Sequence, residues 1–164
     1  RDARFVFDFI DWYKTLTSNG VWGMITSYKG PSLHYVYHLA TLTAINVFGL
    51  NAVLWLLLFC VLHALNATLI VQISRLVFRL SKSMSVATGV LFLISPFHTE
   101  VVVWGATLHY LLVTTLMLTV IFLVASKAAK ETAVISALLF LSGLFTHEMV
   151  VVLPVLLSFL FVFH

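Results

Sequence analysis

Five long apolar stretches fill most of residues 51–163, and only short connections separate them. Their bounds are about 51–74, 84–94, 105–126, 132–146 and 150–163. With 62% hydrophobic and 9% charged residues, the chain is too apolar for an ordinary soluble domain, whereas a lipid bilayer is a suitable solvent for it. The sequence therefore predicts an all-α fold, a polytopic transmembrane helical bundle of about five spans.

The charged residues between these stretches are sorted by type. Two connections carry cations, and the other two carry a histidine close to an acid. The cations are Arg75, Arg79, Lys82, Lys127 and Lys130, and the remaining connections hold His98, Glu100, His147 and Glu148. Because Lys and Arg are retained on the cytoplasmic side, the cationic connections are predicted inside and the His/Glu connections outside.

Residues 1–50 form the more polar part, predicted as an outer-face loop with interfacial helices, and residues 51–164 form the transmembrane region. Within the first part, residues 33–48 are apolar, with His34 and His38 one helical turn apart. This stretch is shorter than the roughly 20 residues of a comfortable span, so it is predicted to lie along the membrane interface. The chain begins at Arg1 and stops after an apolar run, so we expect a segment incomplete at both ends.

Charge and cysteine content exclude some classes of protein. The net charge is only +3, and the cations lie at helix ends, so a nucleic-acid surface is not expected, whereas contact with lipid headgroups is. The single cysteine, Cys60, cannot form an intrachain disulfide. Because Cys60 lies inside an apolar run, it is predicted to be a buried structural thiol.

Several polar residues at the predicted outer boundary are candidates for chemistry. Asp8 and Asp11 lie among aromatic residues, where partial desolvation suits a carboxylate to proton abstraction, although a solvated pair compensated by nearby cations has the same spacing. The His/Glu pairs at 98/100 and 147/148 fit a metal ligand set, a proton relay or a phosphate-facing switch. No metal ligand set is assigned, and a divalent metal stays open.

A second polar group lies inside the first apolar stretch. His63 and Asn66 are three residues apart and share a helix face, so they are predicted to form a structural polar pair that bonds a neighbouring helix. His109 lies near the outer end of the third stretch. Helical rise predicts a depth difference of about 11 Å between His63 and His109, which argues against a haem shared by the two rings.

The order of the motifs resembles a known group of enzymes. The motifs are an acidic pair among aromatics (8–11), Gly-Pro-Ser-Leu (30–33), Phe-Gly-Leu-Asn (48–51), Leu-His-Ala-Leu-Asn-Ala (62–67), Ser-Pro-Phe-His-Thr-Glu-Val-Val-Val-Trp (95–104) and Thr-His-Glu-Met with a following Leu-Pro (146–154). This series resembles the GT-C superfamily of membrane glycosyltransferases, especially the protein O-mannosyltransferases and the tetratricopeptide-bearing O-mannosyltransferases. The resemblance covers nearly all of the chain, as the N-terminal part of the membrane domain.

The resemblance implies a transferase that uses a polyprenyl-phosphate sugar donor at the outer or lumenal face. It implies that Asp8 or Asp11 is the base that activates the acceptor, and that His98 and Glu100 shape the substrate site together with His147 and Glu148. The expected location is the bacterial cytoplasmic membrane rather than the endoplasmic reticulum.

The chain departs from the family pattern at three places that bear on phosphate binding. Relatives tend to carry Arg and Asp where this chain has Leu108 and Tyr110, Lys-Glu where it has His147-Glu148, and Arg where it has Gly30. A protonated His147 would replace one lost cation. The alternative function is an inactive GT-C-like scaffold that serves as a structural subunit of a membrane complex; a haem or ion-conducting protein is less favoured.

The predicted orientation is testable by cysteine labelling of intact cells, with Cys60 replaced by Ser. An impermeant maleimide is expected to label Thr99→Cys and not Lys82→Cys, because connections rich in Lys and Arg stay inside. Labelling of Lys82→Cys without labelling of Thr99→Cys would reverse the topology.

Overall fold

The computed structural model describes residues 34–95, 107–126 and 130–163, together with Ser18, and the elements in these ranges are all helical. In chain order they are α1 (Tyr35–Phe48), α2 (Ala52–Leu76), α3 (Lys82–Ile94), α4 (Leu108–Ala125), α5 (Lys130–Leu144), a 3₁₀ helix (Glu148–Val152) and α6 (Leu153–Phe163). The all-α prediction is confirmed for these residues.

Two of the helices, α2 with 25 residues and α4 with 18, are long and apolar enough to cross a membrane. The other three apolar stretches are also helical, but α3, α5 and α6 have only 13, 15 and 11 residues. Helices α3 and α5, as described, fall short of the roughly 20 residues that a span requires, and α6 is described up to Phe163. Two candidate spans are therefore observed where the sequence predicted five.

The helix starts follow from local sequence. Asn51 begins α2 because its side-chain oxygen accepts hydrogen bonds from the amides of Val53 and Leu54, at 3.0 and 3.3 Å. Just before it, Gly49 has φ of 56°, a conformation that glycine adopts without strain. The Trp55 indole donates to the Gly49 carbonyl at 2.9 Å, which fixes the bend between α1 and α2.

The hydrophobic core lies where α1, α2 and α4 meet. Its buried members are Leu42, Ala44, Ile45, Trp55, Phe59, Leu108 and Leu111. Trp55 and Phe59, both 1% exposed, are the largest side chains in it. At its other end α1 is held by a backbone hydrogen bond of 2.9 Å from the Val36 amide to the Phe145 carbonyl, just beyond α5. Helix α1 therefore connects the beginning of α2 with the end of α5.

Contacts between α2 and α4 show that these helices run parallel and that α4 is displaced along the helix axis relative to α2. Near the start of α4, the residues that line a common groove are Leu58, Leu62, Leu108 and Leu112. Further along, Asn66 contacts the Leu111 carbonyl and Thr115. Residue numbers increase together on both helices, so α4 begins near the middle of α2. Because Asn66 lies opposite residues 111–115, Leu108 lies opposite about residue 61, roughly 14 Å along the helix axis from Ala52 at 1.5 Å per residue.

Helices α2 and α3 pack closely through small residues. Ser74 and Thr88 share a hydrogen bond of 3.1 Å across the two helices. A Cβ atom at Gly89 would lie 2.5 Å from Val71 Cγ2 and 3.2 Å from the Ala67 carbonyl oxygen, so only glycine fits. Close backbone approach of this kind is typical of helix packing in membranes.

One side chain is not where the sequence suggested. Cys60 was predicted to be a buried thiol, but it is exposed in the structure. The adjacent Phe59 is 1% exposed, and because neighbouring residues lie about 100° apart around a helix, the two side chains are on different faces. An apolar run does not show which of its faces is covered, and Cys60 lies on the uncovered one.

The close packing at Gly89 gives a testable prediction. We expect Gly89→Ala to lower the free energy of unfolding by about 1–3 kcal/mol, the usual cost of overpacking. Thermal unfolding of the purified protein in detergent measures this. Val90→Ala, at an exposed neighbour, is the matched control and should have little effect. Val71→Ala should partly restore the stability of Gly89→Ala, and a fully additive double mutant would contradict the assigned contact.

Candidate functional site

Four histidines that are distant in sequence come together where α1 and α4 begin and α5 ends. Two tyrosines and one carboxylate lie among them. The members of this histidine cluster are His34, Tyr37, His38, His109, Tyr110, His147 and Glu148. The cluster lies where the first turns of α1 and α4 meet the segment that follows α5.

The segment that follows α5 positions His147 and Glu148. Thr146 is fully buried, and its hydroxyl donates to the Ser142 carbonyl at 2.8 Å. His147 then has an extended backbone and caps the 3₁₀ helix, because its Nδ1 accepts a hydrogen bond of 3.2 Å from the Met149 amide. The backbone changes direction sharply at His147, which places both His147 and Glu148 against the first turn of α1.

Three imidazole rings in the cluster are nearly parallel. The ring centroids of His34 and His147 are 5.4 Å apart with an angle of 17° between the planes. His109 lies 5.1 Å from His147 at 8°, and 6.1 Å from His34 at 18°. The three rings therefore form one stacked group that joins α1, α4 and the segment after α5.

Glu148 contacts two of these rings. Its Oε2 lies 3.2 Å from His34 Nε2 and 3.9 Å from His147 Nδ1. Its own backbone amide, the hydrogen bond from His34 and the charge of His147 lower the pKa of the Glu148 carboxyl. Glu148 is therefore an ionised carboxylate at neutral pH, and its side chain is 69% exposed.

Burial favours the neutral forms of two histidines. It lowers the pKa of His147, an effect that Glu148 opposes and His34 reinforces. It lowers the pKa of His38 to about 4, with a second contribution from the charge of His34. At neutral pH the uncharged rings of His38 and His147 therefore lie near the Glu148 carboxylate.

An apolar groove of about 470 Å³ runs from the cluster along α1, bounded by α2 and α4. Its lining residues are Val36, Leu39, Ala40, Thr43, Ala44, Val47, Phe48, Leu58, Leu62, Leu108 and Leu112. Val36 lies between His34 and His38 in the sequence, and Leu108 precedes His109, so one end of the groove adjoins the cluster. The volume is within the usual range of small-molecule sites.

Three members of the cluster could together hold a metal ion. One ligand atom each from His34, His147 and Glu148 lies within 4.8 Å of the other two. Two imidazole nitrogens and one carboxylate oxygen are a ligand set used by zinc enzymes. Sequence analysis assigned no metal ligands, and these are the ones that the described residues offer.

The predicted site residues have different outcomes. His147 and Glu148 lie in the cluster. Asp8, Asp11, His98 and Glu100 lie outside the described residues. The sequence showed the separation of His34 and His38 but did not show that they meet His109 and His147. One sequence feature could have indicated that they meet: His34, His109 and His147 each lie at the predicted outer end of a helical stretch.

The predicted polar pair of α2 points to two different helices. Asn66 is fully buried, donates to the Leu111 carbonyl at 3.4 Å and accepts a hydrogen bond of 2.8 Å from the Thr115 hydroxyl. The His63 ring instead packs against Phe92 of α3, with 4.8 Å between centroids. Asn66 thus bonds α4, whereas His63 contacts α3.

The expected depth difference between His63 and His109 was wrong. Because α4 begins beside the middle of α2, the two histidines lie at the same depth to within about one helical turn. They still do not face each other, since His63 contacts Phe92 and His109 stacks on His147. His63 and His109 therefore do not form a pair of axial haem ligands.

Comparison of the chain with family models, with curated proteins and with solved structures found no match. The site is therefore interpreted from its own geometry.

The burial of His38 predicts acid sensitivity. The pKa of His38 is about 4 in the folded chain and 6.5 when unfolded, so the unfolded chain binds more protons between these values. Stability should then fall as pH decreases from about 6.5 toward 4. Melting temperatures in detergent at pH 7 and pH 5 measure this. His38→Phe should reduce the drop without removing it, because His147 has a shift of the same direction.

The charged and aromatic neighbours that face His38 are His34 and Tyr37. Tyr35→Phe, on the same helix but exposed, is the matched control and should leave the pH dependence unchanged. An equal drop in the wild type and His38→Phe would contradict a neutral buried His38.

Proposed function

We propose that the chain is part of a membrane glycosyltransferase that moves a sugar from a polyprenyl-phosphate donor to an acceptor on the outer or lumenal face. The observation that carries this is the meeting of a polar cluster and an apolar groove at Val36 and Leu108. A polyprenyl phosphate has the same two parts, a charged head joined to a long apolar chain. The groove would take the chain and the cluster would take the head.

The chemistry requires three roles. The acceptor oxygen forms a bond to the anomeric carbon of the sugar while the bond from that carbon to the phosphate oxygen breaks. The acceptor proton passes to a base, for which Asp8 or Asp11 is the proposed residue. The departing lipid phosphate keeps the electron pair, and hydrogen-bond donors aimed at it stabilise the transition state.

Residues of the cluster have the right character for the third role. Each neutral imidazole presents one N–H donor, and a tyrosine hydroxyl presents another. Tyr37 and Tyr110 lie 5.2 and 4.1 Å from the His109 ring, so donors from α1 and α4 converge on one region. Where such donors are shielded from water, their hydrogen bonds are stronger.

A scaffold function has an observation of its own. Helix α3 is shorter than a bilayer span, and α3 and α6 both expose large apolar side chains. The most exposed of these are Met84, Leu91, Ile94 and Phe159. Such faces would pack against helices of other subunits, which is the arrangement of a structural subunit in a membrane complex.

The groove can be tested directly. Ala40→Phe places a ring in the groove and should raise the KM for a polyprenyl-phosphate sugar at least about tenfold, through lost burial of the lipid chain worth over about 1.4 kcal/mol. Ala87→Phe, at an exposed position of α3, is the matched control. Turnover of polyprenyl-phosphate mannose and glucose by the full-length protein is the measurement. Equal KM values in the two variants would remove the groove from the donor site.

The base can be tested in the same assay. Asp8→Asn or Asp11→Asn should lower kcat by roughly 10² to 10⁴, the range expected for loss of a general base, because the change is nearly isosteric. Asp2→Asn is the control in the same segment. The scaffold hypothesis gives another result: wild-type protein copurifies with other subunits in fixed ratio and binds no lipid-phosphate sugar, and loss of the Asn66 hydrogen bonds impairs assembly.

A further inference from the structure

We propose that His34, His147 and Glu148 form a binding site for a divalent transition metal, with Zn²⁺ the best fit. The distances carry the proposal. The Glu148 carboxylate oxygen lies 3.2 Å from His34 Nε2 and 3.9 Å from His147 Nδ1. Tetrahedral Zn²⁺, with metal–ligand bonds of about 2.0–2.1 Å, places its donor atoms about 3.3 Å apart. Small side-chain rotations therefore bring all three atoms to coordination distance.

Protonation states in the cluster also suit a metal. His147 Nδ1 accepts the Met149 amide, so that nitrogen carries a lone pair rather than a proton. A metal bound there would replace this hydrogen bond. His34 Nε2 gives its hydrogen bond to the Glu148 carboxylate, and a metal would occupy the same space and bind the same oxygen. The site thus exchanges one hydrogen bond at each histidine for a metal bond.

The ligand types select the metal. Two imidazole nitrogens and one carboxylate oxygen suit Zn²⁺ and its transition-metal neighbours, whereas Mg²⁺ and Ca²⁺ prefer six or more oxygen ligands. Three protein ligands leave one coordination position open, the arrangement of catalytic rather than structural zinc sites. The exposed side of Glu148 leaves room for ion exchange with solvent.

The backbone holds this ligand set in place. The hydrogen bond from the Val36 amide to the Phe145 carbonyl joins the segment after His34 to the segment before His147. Buried Thr146 and the 3₁₀ helix fix the direction of the next two residues. His109 stacks on His147 and limits its rotation. Ligands fixed before binding lower the entropic cost of holding the ion.

The open position gives the metal a role, which rests on the proposed function. A phosphate oxygen of the lipid donor would be the fourth ligand, and the metal would neutralise charge on the leaving phosphate as a Lewis acid. This would compensate for the cations that relatives tend to carry where this chain has Gly30 and Leu108. Metal binding itself does not depend on the transferase being active.

Metal binding is measured on the full-length protein, purified without a histidine tag, stripped with EDTA and titrated with Zn²⁺ by calorimetry. We expect one tightly bound Zn²⁺ per chain. Glu148→Gln and His147→Ala should each weaken it by at least roughly 10–100-fold, the loss seen even for outer-shell partners. Because Glu148 is 69% exposed, Glu148→Gln should fold normally, which circular dichroism and gel filtration check.

Two histidine variants serve as controls. His63→Ala, in contact with α3, and His98→Ala should both retain the metal. Unchanged affinity in Glu148→Gln would overturn the site, and so would loss of the metal in His98→Ala with retention in His147→Ala. Replacement by Co²⁺ gives an independent readout, since the visible bands of four-coordinate Co²⁺ should be present in the wild type and absent from His147→Ala.

Activity assays separate this inference from the proposed function. If Zn²⁺ binds as expected and no polyprenyl-phosphate sugar is consumed, the metal site stands and the transferase is wrong. Sugar transfer that is unchanged by EDTA and by Glu148→Gln would confirm a transferase and overturn the role of the metal.

Discussion

The buried amide of Asn66 sets the geometry on which the rest of the structure depends. Its two hydrogen bonds, to the Leu111 carbonyl and from Thr115, hold the first turns of α4 against the middle of α2. In a lipid environment an unpaired amide at this depth is costly, so the bonds disfavour sliding of one helix along the other. The consequence is that α4 begins near the middle of α2, and the histidines meet and the groove begins at this end of α4.

Local sequence rules account for most of the helical structure. The bounds of the apolar stretches predicted helices α2 to α6 to within a few residues of their observed bounds. Asn51 and Ser81 cap the N-termini of α2 and α3, as Asn and Ser commonly do. What these rules could not give was the register between helices. The depth difference of about 11 Å predicted between His63 and His109 assumed that α2 and α4 begin at the same depth. The hydrogen bonds of Asn66 instead hold the first turns of α4 beside the middle of α2.

The candidate site was only partly accessible to sequence analysis for the same reason. The pair His147–Glu148 was identified because short connections confine polar residues to the boundary. Its partners His34 and His109 lie on α1 and α4, separated from it by 113 and 38 positions, and no local pattern links them. Their meeting depends on the position of α4 along α2 and on the backbone hydrogen bond between Val36 and Phe145, both products of tertiary packing.

The choice of imidazole and carboxylate at this end has an electrostatic consequence. Lys and Arg resist transfer to the outer side, so in the predicted orientation a phosphate site built there from fixed cations would be disfavoured. Neutral histidines avoid this conflict, because burial holds the pKa values of His38 and His147 low. They also cannot by themselves balance a phosphate. A divalent cation bound after membrane insertion would supply the positive charge that balances the phosphate, without a Lys or Arg in the connections predicted to lie outside. The proposed metal binding by His34, His147 and Glu148 is therefore compatible with the predicted orientation.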